Sequence, residues 1–161
     1  MNITTKKGDR GTTSLADGTR VDKDCLRIEL NGQLDTLSAC LGLCKAASGQ
    51  QEPYATVQRA LVGIMALVAK ASASLSANEE RLVAEAISRM ERTINDSPSF
   101  PGFALPGSDL ADAALHMART TARTCERRMV ALARVEPVPP LLLVYLNRLS
   151  DYLYVLAVCR R

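Results

Sequence analysis

The chain has 161 residues, of which 47% are apolar and 23% charged, with a formal net charge of +3. That length suits one domain able to bury a core, and so small a net charge, with aromatics at only 4%, excludes the basic, base-stacking surface of a general nucleic-acid binder. The five cysteines are odd in number and none stands in a C-x-x-C pair, so reduced, packed thiols are expected rather than a zinc or redox motif.

The first element is the segment TTKKGDRGTTSL, residues 4–15, which precedes any helical pattern. Its glycines, Gly8 and Gly11, are too close together for a P-loop. A glycine turn can nevertheless aim backbone N–H groups at an anion, with Lys6, Lys7 and Arg10 adding charge and Thr12, Thr13 and Ser14 adding hydroxyl donors. On these residues alone a flexible, solvated tail is the simpler reading.

Five helical stretches follow, and no segment alternates as a half-buried strand would, so the fold predicted is all-α. In helix one Leu30, Leu34, Leu37, Leu41 and Cys44 step by four and three, and Gly49 and Pro53 end it. Helix two repeats the step with Tyr54, Val57, Leu61, Ile64 and Val68. Ser76 and Glu79 have capping-box spacing for helix three, which Val83, Ile87, Met90 and Ile94 continue. The break NDSPSFPGFALPGS follows, with three prolines. Helix four is expected from Ser108 or Asp109 to about Ala133. Helix five follows EPVPP, with Leu142, Leu146, Leu149, Leu153 and Leu156 as its seam. Five helices with one apolar face each make an antiparallel bundle. The longest apolar run, residues 60–69, is about half a membrane span and no apolar leader opens the chain; a soluble cytoplasmic protein is expected, with neither membrane nor nucleic acid as partner.

At 100° per residue, Asp112, His116, Arg119, Arg123, Glu126 and Arg127 of helix four share one arc, while Ala114, Ala118, Ala122, Cys125, Met129 and Leu132 share another. A solvated stripe of i,i+4 pairs explains such a pattern, but three arginines with one carboxylate suit a polyphosphate better. Helix five adds Asn147, Ser150, Asp151 and Tyr154, and helix one adds Glu29, Gly32 and Asp35. A buried Asp35 would need a cation, for which an arginine of helix four is the natural candidate. His116 is the single histidine, so no histidine metal set or Ser-His-Asp arrangement arises.

The loop TTKKGDRGTTSL, then RVDKD, FALPGS, ALHMARTTARTCERR and YLNRLSDYLYVLA resemble, in order and spacing, the ATP:cob(I)alamin adenosyltransferases of the propanediol-utilisation type. The resemblance spans nearly the whole chain. It implies a single domain over residues 1–161, with residues 1–24 as an ATP-binding loop and residues 25–161 as a five-helix bundle, assembled as a homotrimer with active sites between subunits. By that resemblance Thr5, Lys6, Lys7, Gly8, Thr13, Ser14 and Lys23 match the ATP loop. Arg123, Thr124, Cys125, Glu126 and Arg127 match the nucleotide face of helix four, and Asn147 its counterpart on helix five.

Catalysis would fall to Arg123 and to an Asp35–Arg119 ion pair on the cobalamin side, where Phe103 matches the aromatic residue that closes the lower face of the corrin. The chemistry implied is attack of Co(I) on the 5′ carbon of ATP, releasing triphosphate, with Mg²⁺ carried by ATP rather than by protein side chains. A reductase and an adenosylcobalamin-dependent enzyme are implied partners. Where the family usually reads Arg-Arg-Ala-Glu-Arg, this chain has Thr124 and Cys125 between Arg123 and Glu126; one arginine is missing, which lowers ATP affinity unless another cation substitutes. The usual Leu-Pro-Gly-Gly is LPGS here, and the glutamate that usually follows the helix-one aspartate is Thr36. The change at Thr124 keeps open a non-catalytic corrinoid or nucleotide carrier, and a plain helical interaction protein is the remaining alternative.

Overall fold

The computed structural model describes residue 6 and residues 8–70, 74–99 and 104–160. Thr5, Lys7 and Phe103, all assigned to the site above, lie outside the described residues. Five helices account for most of the chain: α1 (Leu26–Ser48), α2 (Tyr54–Val68), α3 (Ala77–Asn95), α4 (Leu110–Ala133) and α5 (Pro140–Val158). Each starts or stops where the local chemistry requires. Gly49, at φ 69°, ends α1 in the left-handed conformation that a side chain would disfavour. Ser76 and Glu79 close the expected capping box on α3, and the Asp109 carboxylate caps α4 by accepting from the Asp112 N–H at 2.7 Å.

One expectation needs correction. The N-terminal segment is not a bare loop, because Thr12–Ser14 (β1) and Arg20–Asp22 (β2) pair antiparallel, Thr13 opposite Val21. The Asp17–Gly18 pair makes the turn, with Gly18 at φ 87°; a D-G step between short extended runs is a hairpin signal that three-residue strands are too brief to show as alternation.

The seams drawn on the helices meet in one core. Leu30, Leu34, Leu37, Leu41 and Cys44 of α1 are buried against the alanine-rich arc of α4. On its other side α4 packs against α5, whose Leu142, Leu146, Leu149 and Leu153 are buried, while Leu156 is only partly so. Alanines at 114, 118 and 122 let both neighbours come close, so small residues here set the spacing of the bundle. α4 runs antiparallel to α1, placing Arg128 near Glu29 and Cys40 near Thr121, and antiparallel to α5, placing Glu126 beside Asn147 and Asp109 beside Arg160. α3 lies along α5, to which Glu91 is tied through Arg148 at 2.9 Å.

α5 is, among the described residues, the one helix long and apolar enough to cross a membrane. Its seam is nevertheless spent on the core, and its middle carries Arg148 and Asp151, paired with each other at 3.5 Å. Charges at that depth would be costly in lipid.

Candidate functional site

The hairpin is held at one end of the bundle. Leu15 is buried, and the Ala16 N–H donates to the Ala69 carbonyl at 2.8 Å, just past the end of α2. Arg27 secures the same place: its guanidinium donates to the carbonyls of Val68 at 3.0 Å and Lys70 at 2.6 Å, and its Nε donates to Glu136 at 2.6 Å. A buried arginine is tolerable there because carbonyls left over at a helix end and a carboxylate absorb its donors. Nothing in the sequence pattern singles Arg27 out, since its partners lie some 40 and 109 positions away.

A Cβ on Gly8 would sit 3.0 Å from the Lys23 ammonium, so Lys23 lies directly over that glycine. The Lys23 N–H donates to the Gly11 carbonyl at 2.9 Å, and Gly11 takes a φ of 79°. Lys6 and Arg10 are exposed. The Ser14 hydroxyl accepts from Arg20 across the hairpin at 3.4 Å, and Thr12 also accepts from Arg20, so these hydroxyls help hold the strands together. Thr13 is half-buried.

The second group of residues lies on α4 and α5. Arg123 is exposed and forms neither a hydrogen bond nor an ion pair with the described residues. Glu126 is held firmly: it accepts from the Asn147 amide at 2.9 Å, while the Asn147 carbonyl accepts from Arg148 at 3.2 Å and Arg148 reaches Glu91. This line across three helices fixes which way the Asn147 amide points. Arg127 donates to the Thr124 hydroxyl at 3.0 Å, and that hydroxyl donates in turn to the Thr120 carbonyl at 3.2 Å. Thr124 therefore braces Arg127.

Cys125 does not belong to this face. It is fully buried in the core, and burial pushes its thiol up to about 12. Its side chain points to the interior because it falls on the alanine arc of α4, and it is removed from the set of nucleotide-facing side chains.

The first half of the α4 stripe is also not a solvated face. Asp112 and His116 are 1% and 4% exposed, covered by the residues before α4 and by the last turns of α5. Arg119 is half-buried, donates to His116 at 3.3 Å and lies 6.0 Å from the centre of the Tyr154 ring. Arg119 and Arg123 line a cavity of about 200 Å³ with Ser150, Asp151 and Tyr154. Asp35, by contrast, is exposed and has no partner among the described residues. The buried Asp35 that would have required a cation is thus not found, and within one chain Arg119 turns toward α5 instead.

The two groups are apart in the single chain. Ala133, the last residue of α4, is ten residues beyond Arg123, about 15 Å along the axis. The hairpin docks beyond that end: Ala16 bonds Ala69, and Arg27 of α1 ties the neighbouring Val68 and Lys70 carbonyls to Glu136.

The family model described as cobalamin adenosyltransferase matches residues 3–160. The chain is 40% identical to the corrinoid adenosyltransferase PduO of Salmonella typhimurium over 164 residues, covering 98% of this chain and 49% of that protein. It is 37% identical to the corrinoid adenosyltransferase of Bacillus subtilis, covering 98% of this chain and 85% of that one. It therefore spans about half the length of the first relative and most of the second. Among solved structures it superposes on a variant PduO-type ATP:corrinoid adenosyltransferase from Lactobacillus reuteri complexed with cobalamin and ATP, with a TM-score of 0.83, 26% identity, and coverage of 97% of this chain and 89% of that one.

Proposed function

The chain belongs to the cobalamin adenosyltransferase family, and on that premise we propose that it transfers the 5′-deoxyadenosyl group of ATP to the Co(I) centre of a reduced corrinoid, giving adenosylcobalamin and triphosphate. The cobalt of the substrate is the nucleophile, so the protein needs none of its own. A Co–C5′ bond forms as the C5′–O5′ bond breaks, and the electron pair departs with the triphosphate. The tasks left to the chain are alignment and stabilisation of the charge that leaves.

The observation that carries this reading is the exposed Arg123 guanidinium, unpaired among the described residues, beside a Glu126 that is already fixed by Asn147. A charge held ready in this way suits an anion that arrives and departs, and a guanidinium offers permanent charge with forked donors. Arg127, braced by the Thr124 hydroxyl at 3.0 Å, adds a second guanidinium. Lys6, Lys23 and the turn at Gly8–Gly11 supply the other half of the phosphate clamp, together with Thr5, Lys7, Thr13 and Ser14. Because that half docks at the far end of α4, the clamp is completed between two copies of the chain, in a homotrimer. There the exposed Asp35 of one copy is available to Arg119 of the next, and Phe103 closes the lower face of the corrin.

Among the described residues no three His, Cys, Asp or Glu side chains are grouped to hold a metal. By the family reading, Mg²⁺ would arrive with ATP on the triphosphate oxygens. The cytoplasm, where ATP is available, is the compartment assigned; a reductase would supply Co(I) and an adenosylcobalamin-dependent enzyme would take the product.

Incubation with Mg-ATP and chemically reduced cobalamin should yield the visible spectrum of adenosylcobalamin, with light scattering reporting three chains per particle. A folded protein that gives no product refutes the reading, and a monomer fully active at nanomolar concentration refutes the shared site.

A further inference from the structure

We propose that His116, backed by Asp112, is a positioning residue that holds Arg119 in a fixed orientation at the wall of the cavity it shares with Arg123. This rests on the adenosyltransferase reading for its consequence in turnover, but its geometry stands apart from that reading.

Three polar side chains, Asp112, His116 and Arg119, stand in line along α4. The Gly107 and Ser108 N–H groups donate to Asp112 Oδ2 at 2.6 and 3.1 Å, anchoring the segment that enters the helix. Asp112 Oδ1 faces His116 Nε2 at 3.7 Å, and His116 Nδ1 accepts from Arg119 Nε at 3.3 Å. The Tyr154 ring closes the other side, edge-on to His116 at 6.3 Å and under the Arg119 guanidinium. An i, i+4, i+7 spacing brings these side chains above one another on a single helix face.

The proton inventory decides what the histidine does. Arginine is never deprotonated in a protein, so its Nε–H only donates. Nδ1 must then carry a lone pair, and the ring proton sits on Nε2, toward the Asp112 carboxylate. Nδ1 is thereby used to orient the arginine, while Nε2 stands 3.7 Å from the Asp112 carboxylate, an electrostatic approach longer than a hydrogen bond. Arg119 is pinned through Nε and against the Tyr154 face, which leaves its two terminal nitrogens as a fixed fork rather than the end of a freely rotating chain.

His116 is the single histidine, so one labelled residue gives an unambiguous nitrogen spectrum. In the full chain with ¹⁵N-histidine, the neutral Nε2–H tautomer is expected at neutral pH, with the Nδ1 resonance displaced in Arg119→Met. A predominant Nδ1–H tautomer, or an Nδ1 signal indifferent to Arg119→Met, overturns the proposal.

Two substitutions then read the consequence for turnover. His116→Asn keeps an acceptor near the Nδ1 position, whereas His116→Gln keeps a group near Nε2 and loses that acceptor. Asn should retain most of kcat/KM for reduced cobalamin and Gln should lose roughly tenfold, with KM for ATP unchanged in both. Equal loss in the two variants, or a parallel rise in KM for ATP, reduces His116 to packing. A parent with the Nε2–H tautomer but no adenosyl transfer would sink the adenosyltransferase reading alone, and an active parent with the Nδ1–H tautomer would sink this inference alone.

Discussion

Between Asp112 and Arg119 the polar residues of α4 are held by the chain itself, through the Gly107 and Ser108 amides, the His116 ring and Tyr154. One turn further on, Arg123 stands exposed with no partner among the described residues. Both halves carry an acid and at least one arginine on the same helical arc, and the spacing continues unbroken. The difference is cover: the residues before α4 and the last turns of α5 close over the first half and stop short of the second. Polar groups under cover must be satisfied within the fold, whereas charge in the open half can be left for a ligand.

Arg123→Ala should have the largest effect. Adenosyl transfer should fall about a hundredfold or more, the scale of losing one donor to a developing negative charge, while thermal stability stays within about 1 °C because no hydrogen bond or ion pair among the described residues is removed. A comparable drop in melting temperature would mean that Arg123 belongs to the fold after all. Asp112→Ala should show the opposite behaviour. It strands two amide donors and removes the cover from His116, so urea unfolding should report a loss of about 2 kcal/mol, an effect absent from Arg123→Ala.

Gly8→Ala probes the hairpin half of the site. The new methyl would meet the Lys23 ammonium at 3.0 Å, and a flexible side chain can swing away at little cost. KM for ATP should rise by about threefold with no measurable change in stability; an unchanged KM would remove Lys23 from the clamp.

The smallest effects concern the thiols. Burial raises Cys44 to about 11 and Cys125 to about 12, so at pH 8 an alkylating reagent should modify the exposed Cys159 and leave those two intact in the native protein. The folded state holds these protons more tightly than the unfolded chain does. Their contribution to stability is therefore fully present below about pH 9 and declines as pH rises through 11 and 12, by about 1 kcal/mol per thiol per pH unit at the start of that range. A melting temperature constant from pH 9 to 11 would contradict this assignment of burial.

The apolar steps of four and three were sufficient to delimit all five helices, because each helix must bury one stripe and the stripe is written in consecutive residues. Ser76 with Glu79, and Asp109 before Leu110, were equally legible, since caps act over three residues. The family was legible for a related reason: its motifs are local strings in order. The short hairpin was missed because three residues are too few to display a period of two.

Tertiary structure alone decided which polar residues pair and which remain open. The helical arc that groups Asp112, His116, Arg119, Arg123 and Glu126 assigns them one direction, but burial depends on what packs above each turn, and α5 and the entry segment come from elsewhere in the chain. The same holds for Arg27, whose partners are fixed only when α1, the end of α2 and Glu136 meet. Local sequence determines periodicity and capping because those interactions span a few residues; the pairing and exposure of charge are set by neighbours distant in the chain.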